Sequence, residues 1–457
     1  MSHSLMPLTT NPLATSQQHS AMQWTPRSPH DLAGKRVTVM GLGRFGGGLG
    51  VVRFLLSHSA AVTLTDLLPK QDLVESLDQI KVDQLRHLRL GGHDVADFTD
   101  ADLVIVNPAV RPGNKFVDAA ITAGVPISTE LNLFWSLQRG RVAAVTGTVG
   151  KSTTSALLAH ILRETGHSVR LGGNIGGSLL SEVDQIGPAD WTVLELSSFQ
   201  LERLRPLRPR PEVALCTNFF ANHLDWHGTL EHYRQAKQVL AESMTANQLI
   251  VAPPGSEILH WPTAARCLAA EPFIAESPLP GAHQQQNLSL VATVCREVFG
   301  LNDDRIRAAC RTFVPLPHRL ERLPDLNQRQ FWNDSKATTP EAAIEALQAF
   351  PQPIRLIAGG ADKGVDLTAL AAAIGKHAAS VSLLGATTNT LADLLAQQGA
   401  SLPISRADSL SEAVELQWRL SQPGDVILLS PGCASFGEFR NYEDRGNAFR
   451  VCVTLLR

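Results

Sequence analysis

Short apolar runs alternate with amphipathic stretches along most of the chain. The runs are rich in Val, Ile, Leu and Ala and are bounded by Gly, Pro, Asp or Asn. This pattern is typical of strands buried on both faces of a parallel sheet, with helices between them. The predicted strands are residues 37–40, 61–65, 142–145, 191–196, 213–216, 330–332, 354–358, 381–384 and 426–429. The expected fold class is therefore α/β, built from doubly wound parallel sheets.

The alternation of strands and helices falls into three blocks. A chain of 457 residues also suggests about three domains, at roughly 150 residues each. We predict a disordered tail over 1–32, a Rossmann-like domain over 33–137, a central P-loop ATPase-like domain over 138–316 and a C-terminal Rossmann-like domain over 317–457. The tail is rich in Ser, Thr, Gln, His and Pro and lacks the pattern of a signal peptide.

Composition narrows the class of partner. The net charge is −3, from 40 Lys+Arg against 43 Asp+Glu, so no general basic field exists for nucleic acid or an anionic membrane. The six cysteines form no CxxC pair, which favours reduced cytoplasmic thiols. No apolar run approaches the roughly 18 residues of a membrane helix. We expect a cytoplasmic, monomeric protein with small-molecule substrates and no membrane insertion.

A phosphate-binding loop is the strongest motif. Residues 147–153 read GTVGKST and stand between a predicted strand and a predicted helix, so backbone N–H groups and the helix N-terminus face an anion. Lys151 adds a mobile positive charge and Ser152 a hydroxyl ligand for Mg²⁺. The full Walker pattern needs glycine where Val145 stands, so a simple glycine-rich turn is the alternative.

Further polar residues follow the neighbouring strands. Glu195 closes one strand at the edge where open α/β sheets bind ligands. Its carboxylate can complete an octahedral magnesium shell beside Ser152, although a solvated strand-end acid is the plainer alternative. His223 follows the next strand, and Lys237 lies fourteen residues further on.

The N-terminal block contains a second glycine-rich turn. Residues 41–46 read GLGRFG after a strand, and Asp66 lies 66 − 46 = 20 residues further on. This is a dinucleotide fingerprint and supports a nicotinamide-dependent oxidoreductase as a rival. A phosphate loop about 100 residues later has no place in a simple dehydrogenase, however. The same helix N-terminus could hold the diphosphate of a uridine nucleotide.

These motifs together resemble the Mur ligases, and within them the glutamate-adding members. The resemblance extends from about Leu32 to the C-terminus. Its markers are residues 147–153, 172–176, 195–202, 222–225, 317–319, 333–338, 359–364 and 430–436.

The resemblance implies an ATP-dependent ligase with ATP and Mg²⁺ as cofactors. Its substrates would be UDP-N-acetylmuramoyl-L-alanine, bound by the N-terminal domain, and D-glutamate, bound by the C-terminal domain. ATP would convert the alanine carboxylate to an acyl phosphate, which the glutamate amine attacks. The product would serve peptidoglycan synthesis.

The same resemblance assigns residues to each part of the site. It implies ATP contacts from Thr148, Gly150, Lys151, Ser152, Thr153, Asn287, Arg319 and Asp334. Catalysis would rest on Lys151, Glu195, His223 and Lys237. The magnesium ligands would be Ser152, Glu195, His223 and a carbamylated Lys237. The UDP substrate would contact Gly41, Gly43, Asp66, Asn174, Ser197 and Gln200. The D-glutamate end would be lined by Lys336, Thr338, Lys363, Ser435, Phe436 and Tyr442.

Three alternatives remain open at the level of sequence. An oxidoreductase would bind nicotinamide and consume no ATP. A non-catalytic nucleotide-binding protein of the same fold would bind without turnover, although the presence of Lys151, Glu195, His223 and Lys237 argues against it. A folate-glutamate ligase would share the central domain but lack a uridine-nucleotide domain. The nature of residues 33–137 therefore distinguishes this alternative from a Mur ligase.

Overall fold

The computed structural model describes residues 24–42, 47–108, 110–278 and 280–456. The described chain forms three successive α/β units, and each unit is built on its own sheet. Their strands are parallel except for one edge strand, and the strands at the centre of each sheet are mostly buried. The predicted α/β class with three domains is confirmed.

The N-terminal unit has a five-stranded parallel sheet with the order β3-β2-β1-β4-β5. Its strands are β1 (Arg36–Met40), β2 (Ala61–Asp66), β3 (His87–Leu90), β4 (Leu103–Val106) and β5 (Ile127–Ser128). Its helices are α1 (Gly47–Ser57), α2 (Val74–Leu77), α3 (Val95–Thr99), α4 (Lys115–Thr122) and α5 (Glu130–Leu137). The strand order reverses between β1 and β4, which places a ligand crevice beyond the end of β1.

The central unit has a six-stranded parallel sheet with the order β11-β10-β9-β6-β8-β7. Its strands are β6 (Arg141–Thr146), β7 (Val169–Gly173), β8 (Trp191–Glu195), β9 (Val213–Cys216), β10 (Leu249–Ala252) and β11 (Arg266–Ala269). Its helices are α6 (Lys151–Glu164), α7 (Ser198–Leu204), α8 (Leu224–His227), α9 (Leu230–Glu242), α10 (Ala282–Phe299) and α11 (Asp303–Arg311). Strand β6 lies between β8 and β9, so the loops after these three strands meet at one edge.

The C-terminal unit has the strand order β12-β13-β17-β14-β15-β16, and only the edge strand β12 is antiparallel. Its strands are β12 (Glu321–Leu326), β13 (Arg329–Asn333), β14 (Ile354–Ala358), β15 (Ala378–Leu383), β16 (Ile404–Arg406) and β17 (Val426–Leu429). Its helices are α12 (Pro340–Leu347), α13 (Thr368–His377), α14 (Thr388–Gln397), α15 (Leu410–Leu420) and α16 (Tyr442–Leu455).

The disordered-tail prediction is wrong for residues 24–32. Trp24 packs against the N-terminal core, and Leu32 is fully buried in it. Ser28 and Asp31 form a capping box around a short 3-10 helix, Pro29–Leu32. Apolar burial and satisfied backbone groups therefore order a segment whose composition suggested disorder. Residues 1–23 lie outside the described part of the chain.

The first two units share one apolar core. Leu133 and Phe134 of α5 belong to the same buried cluster as Leu179 and Leu180 of the central unit. The second unit is therefore held firmly against the first. Over the described ranges, no helix has the length and apolar composition needed to cross a bilayer.

Candidate active site

The phosphate loop joins the end of β6 to the start of α6. Gly150 caps α6 in the left-handed conformation, with φ 83° and no side-chain cap. The N–H groups of the first helical turn therefore point into the crevice without a capping side chain, as an anion site requires. Lys151 is the first residue of this helix, and its Nζ donates to the carbonyl oxygen of Thr148 at 2.8 Å.

Asn218, which the sequence interpretation missed, holds this loop in shape. Its Oδ1 accepts from the backbone N–H groups of Thr148 at 3.0 Å and Val149 at 2.9 Å. Its Nδ2 donates to the carbonyl oxygen of Val149 at 3.1 Å. The side chain thus fixes the first half of the loop and leaves the helix N-terminus for the phosphates. The available signal was its place two residues after the buried strand β9.

A buried ionic cluster lies beside the loop. Glu195 is only 1% exposed, and its Oε1 accepts from Asn174 Nδ2 at 3.0 Å. Burial alone would raise the pKa of Glu195, but Lys151 and Arg319 outweigh it and lower the pKa below its usual value. The carboxylate is therefore ionised at neutral pH. Burial lowers the pKa of Lys151, and Glu195 opposes that shift.

The C-terminal unit contributes to this cluster through Arg319. Its guanidinium donates to Ser152 Oγ at 2.8 Å, across the boundary between two units. Two buried polar atoms here have no hydrogen-bond partner within the described ranges, Oε2 of Glu195 and Nε of Arg319. An unpaired buried polar atom costs free energy. The cluster is therefore complete only when a ligand supplies partners.

The donor set suits a hard cation together with an anion. Ser152 Oγ and Glu195 Oε2 are oxygen ligands of the kind that Mg²⁺ prefers, and Lys151 and Arg319 suit phosphate oxygens. The described residues hold no ready-made group of three or more His, Cys, Asp or Glu side chains for a metal. Remaining ligands would have to come from a bound nucleotide or water.

Lys237 and His223 both lie near the ring of Tyr233. Lys237 is 2% exposed, its Nζ donates to the carbonyl oxygen of Gly147 at 2.6 Å, and it lies 4.7 Å from the centre of the Tyr233 ring. Burial, reinforced by Lys151, lowers the pKa of Lys237 well below its usual value. The ring of His223 lies 6.3 Å from that of Tyr233 and 4.8 Å from that of Phe199.

A cavity of about 290 Å³ opens next to the phosphate loop. Its walls include Gly150, the start of α10 with His283 and Asn287, and Glu345 from α12 of the C-terminal unit. Thr153 is buried in the first turn of α6. Asp334 is also buried, and burial raises its pKa to about 7. Its oxygens accept from the Leu320 N–H and the Ser430 hydroxyl, so it braces the C-terminal loops next to Arg319.

Replacing Gly150 with alanine should weaken nucleotide binding. A Cβ at Gly150 would lie 2.8 Å from Asn287 Oδ1, so Asn287 must move. Gly166→Ala is a matched control, because Gly166 has a similar φ of 91° but open space around its Cβ position. Both variants should lose similar stability from backbone strain. We expect only Gly150→Ala to raise the Kd for ATP, by about tenfold or more; equal Kd values in both variants would contradict this.

The residues predicted for the amino acid lie on three loops at one sheet edge, except Tyr442, which begins α16. The loops follow the adjacent strands β13, β17 and β14. Backbone hydrogen bonds join them, from Gly432 to Ala337 at 2.9 Å and from Ala361 to Ala434 at 2.8 Å. This arrangement brings together Lys336, Thr338, Lys363, Ser435, Phe436 and Tyr442.

The two lysines of these loops each lie over an aromatic ring. Lys336 Nζ is 5.0 Å from the centre of the Tyr442 ring, and Lys363 Nζ is 5.4 Å from that of Phe436. Burial lowers the pKa of Lys336 to about 8, with Arg319 adding to the shift. The loops therefore present two cationic groups on aromatic supports, which suits a ligand with more than one carboxylate.

In the N-terminal unit, the Asp66 carboxylate accepts hydrogen bonds from the backbone of two loops, including the glycine-rich turn. Its Oδ2 accepts from the Leu42 N–H and its Oδ1 from the Leu68 N–H, both at 2.8 Å. Gly41 adopts a φ of 95°. Gly43 lies outside the described residues. Asp66 thus has a structural task at the end of β2 that the fingerprint did not reveal, and its substrate contact stays a prediction.

Ser197 and Gln200 form a capping box at the start of α7. Ser197 Oγ accepts from the Gln200 N–H at 3.3 Å, and Gln200 Oε1 accepts from the Ser197 N–H at 3.0 Å. The local structure alone accounts for these two residue types. Their contact with the UDP substrate stays a prediction. The same holds for Asn174, whose Nδ2 donates to Glu195 Oε1.

The geometry is that of an enzyme that moves a phosphoryl group from a nucleoside triphosphate to a second substrate held between domains. Three family models match in order along the chain. The Mur ligase MurD-like N-terminal domain matches residues 35–129, the Mur ligase middle domain matches 145–267, and the Mur ligase glutamate ligase domain matches 318–433.

Proteins of known name support the same class. The chain is 38% identical to the UDP-N-acetylmuramoylalanine--D-glutamate ligase of Roseiflexus sp. (strain RS-1), over 92% of this chain and 99% of that protein. It is 35% identical to the ligase of the same name from Pelotomaculum thermopropionicum, over 93% and 99%. The chain belongs to the Mur ligase family.

Solved structures confirm the fold. The UDP-N-acetylmuramate-alanine ligase of Thermotoga maritima matches with a TM-score of 0.61 at 18% identity, covering 93% of this chain and all of that one. A Mycobacterium tuberculosis folylpolyglutamate synthase matches 71% of this chain with a TM-score of 0.55. The match to the MurD-like N-terminal domain argues against the folate alternative. The oxidoreductase and non-catalytic alternatives receive no support from the named relatives.

Proposed function

We propose that this protein is an ATP-dependent ligase that joins D-glutamate to UDP-N-acetylmuramoyl-L-alanine, giving ADP and phosphate, for peptidoglycan synthesis. One observation carries the proposal. The phosphate loop of the central unit lies next to the cationic loops of the C-terminal unit. Arg319 makes that connection through its hydrogen bond to Ser152. The name of the relatives that align with nearly the whole chain supplies the substrate pair.

The first step transfers the γ-phosphoryl group of ATP to the alanine carboxylate. The helix N-terminus at Gly150 holds phosphate oxygens, and Lys151 and Arg319 balance the charge that develops during transfer. Two anions approach each other in this step, so fixed cations lower its barrier. The bond between the γ-phosphorus and its bridging oxygen breaks, and a mixed anhydride forms on the substrate with release of ADP.

Ser152 and Glu195 would hold Mg²⁺, since their oxygens face the cluster and Oε2 of Glu195 has no other partner among the described residues. When bound, Mg²⁺ would neutralise phosphate charge and orient the transferred group. We propose His223 and a carbamylated Lys237 as ligands of a second ion. The depressed pKa of Lys237 supports this, because only a neutral amine can add to carbon dioxide.

The second step forms the amide bond. Lys336 and Lys363 pair with the two carboxylates of glutamate and direct its amine towards the acyl phosphate. Attack of the amine on the carbonyl carbon gives a tetrahedral intermediate, which then expels phosphate. Because the reaction consumes ATP, we propose that it takes place in the cytoplasm, and we propose that the protein acts as a monomer.

A coupled assay of ADP release tests this function directly. Purified protein is given ATP, Mg²⁺, UDP-N-acetylmuramoyl-L-alanine and one glutamate enantiomer at a time. ADP release that requires both the nucleotide substrate and D-glutamate supports the proposal. ADP release with neither substrate, or no release with any combination, contradicts it.

Charge at the C-terminal loops should make the enzyme select a dicarboxylate. A neutral amino acid would leave Lys336 and Lys363 without a carboxylate from the ligand, which penalises the wrong ligand by about several kcal/mol. We expect D-alanine, L-alanine and L-lysine to be poorer than D-glutamate by on the order of a thousandfold. Lys363→Ala should raise the KM for glutamate about tenfold and leave the KM for ATP unchanged.

The same charge predicts a pH dependence. The pKa of Lys336 is about 8, and only its protonated form pairs with a carboxylate. The KM for glutamate should therefore rise as pH increases through about 8, while the KM for ATP stays constant over that range. Equal use of neutral amino acids, or a flat glutamate KM from pH 7 to 9, would refute the charge argument.

A further inference from the structure

Glu345 lies on α12 of the C-terminal unit but lines the cavity beside the phosphate loop of the central unit. Gly150, His283 and Asn287 line the same cavity. Within the described ranges, no group hydrogen-bonds or ion-pairs with the Glu345 carboxyl. A carboxyl group of one domain therefore faces a cavity of another with all of its acceptor capacity unused.

The charged groups near Glu345 indicate which part of a bound nucleotide its carboxyl would contact. Lys151 and Arg319, which face the phosphates, both act on the Glu345 carboxyl, and Glu345 acts in return on Lys151. His283 and Asn287 line the same cavity from α10. The part of a nucleotide next to the phosphates is the ribose. Its two neighbouring hydroxyls are donors that a single carboxylate can accept together.

Burial disfavours the ionised form of the Glu345 carboxyl, which a ligand with hydrogen-bond donors would stabilise. It raises the pKa of Glu345 to about 7, and the nearby Asp334 adds to the shift. Hydroxyl donors from a ligand would compensate the loss of water around the ionised group. A carboxyl that makes no hydrogen bond within the described ranges and lines a cavity of about 290 Å³ has the chemistry and the room to receive them.

We propose that Glu345 is a specificity-determining residue that accepts hydrogen bonds from the ribose hydroxyls of the bound nucleotide. This inference rests on the proposed use of ATP. The nucleotide is then held by the central and C-terminal units together. The 2′-deoxy and 3′-deoxy nucleotides, which lack one of the two donors, bind more weakly for this reason.

Titration calorimetry of the full chain with ADP, 2′-deoxy-ADP and 3′-deoxy-ADP at pH 8 tests the proposal. The wild type should bind ADP about tenfold or more tightly than either deoxy analogue, the ratio expected for a charge-assisted hydrogen bond. In Glu345→Gln and Glu345→Ala, ADP should weaken by about that factor while the analogues change little. The ratio between ADP and its analogues should therefore fall towards one.

Glu257→Gln is the matched control. Glu257 lines the same cavity, but its carboxylate already accepts from Arg234 Nε at 2.9 Å, so its removal should leave the ratio as in the wild type. An unchanged ratio in both Glu345 variants would overturn the proposal. A lost preference for ADP over inosine diphosphate, with the ribose ratio intact, would also overturn it and assign Glu345 to the base.

The readout separates this proposal from the proposed ligase function. Calorimetry measures nucleotide binding alone, so an absence of ligase turnover would refute the function without changing the ribose ratio. Conversely, a protein that ligates D-glutamate but shows no ribose preference would refute only the role of Glu345. Because Glu345 makes no hydrogen bond or ion pair within the described ranges, its replacement removes no such bond from the fold.

Discussion

Lys151→Ala should lower turnover by about a thousandfold or more. Its ammonium is the cation at the start of α6 that balances charge on the transferred phosphoryl group, and losing such a charge costs several kcal/mol of transition-state stabilisation. Steady-state ADP release at saturating substrates measures the effect. The variant should still fold, because burial already disfavours this charge in the native state.

Lys376→Ala provides the matched control. Lys376 is an exposed lysine in the last turn of α13, away from the phosphate loop. This variant should keep wild-type turnover, and both proteins should melt within a few degrees of the wild type. Activity of Lys151→Ala within about tenfold of the wild type would refute the phosphate-loop assignment, because loss of a catalytic cation normally lowers the rate by a much larger factor.

Lys237→Ala should be inactive, and short carboxylic acids such as acetate should partly restore it. The proposed carbamate supplies carboxylate-like oxygens to a magnesium ion, and a small acid bound in the vacated space could supply the same oxygens. The amine is buried at the foot of the phosphate loop, with its pKa lowered by burial. Burial therefore favours the neutral, nucleophilic form of this amine more than water would. Turnover measured over a range of acetate concentrations tests the rescue.

Acetate should leave Lys151→Ala inactive, because a missing ammonium cannot be replaced by an anion. In the wild type, ¹³C-labelled bicarbonate should give a carbamate resonance that is absent from Lys237→Ala. Full activity of Lys237→Ala, or an unlabelled lysine in an active, magnesium-loaded sample, would show that the amine acts unmodified. Rescue of both lysine variants by acetate would indicate a nonspecific salt effect instead.

Local structure followed the sequence closely. The predicted strands at Val213–Cys216, Ile354–Ala358 and Val426–Leu429 coincide with β9, β14 and β17. The helix predicted after the phosphate loop runs from Lys151 to Glu164. These elements were predictable because a strand buried on both faces needs a continuous apolar run, and a glycine-rich turn marks where it ends.

Several site features could not be read from the sequence. Asp66 fits a ribose-binding fingerprint, yet its oxygens accept from backbone N–H groups of the loops around it. Asn218 and Glu345 belong to no recognised pattern, although one shapes the phosphate loop and the other faces the nucleotide cavity. Pattern reasoning finds residues next to strand ends, but the direction of a side chain depends on packing that the pattern does not contain.

The sequence by itself determined the α/β class, the three-part order of the chain, the phosphate loop and the resemblance to the Mur ligases. These depend on contiguous motifs and on hydrophobic periodicity, both of which are local properties. Only the tertiary structure decided that residues 24–32 pack on the core, that Arg319 reaches Ser152, and that Glu345 enters a cavity of another unit. The physical reason is that such contacts join residues far apart in the chain. Their free energy depends on how the packed units meet and not on any local pattern.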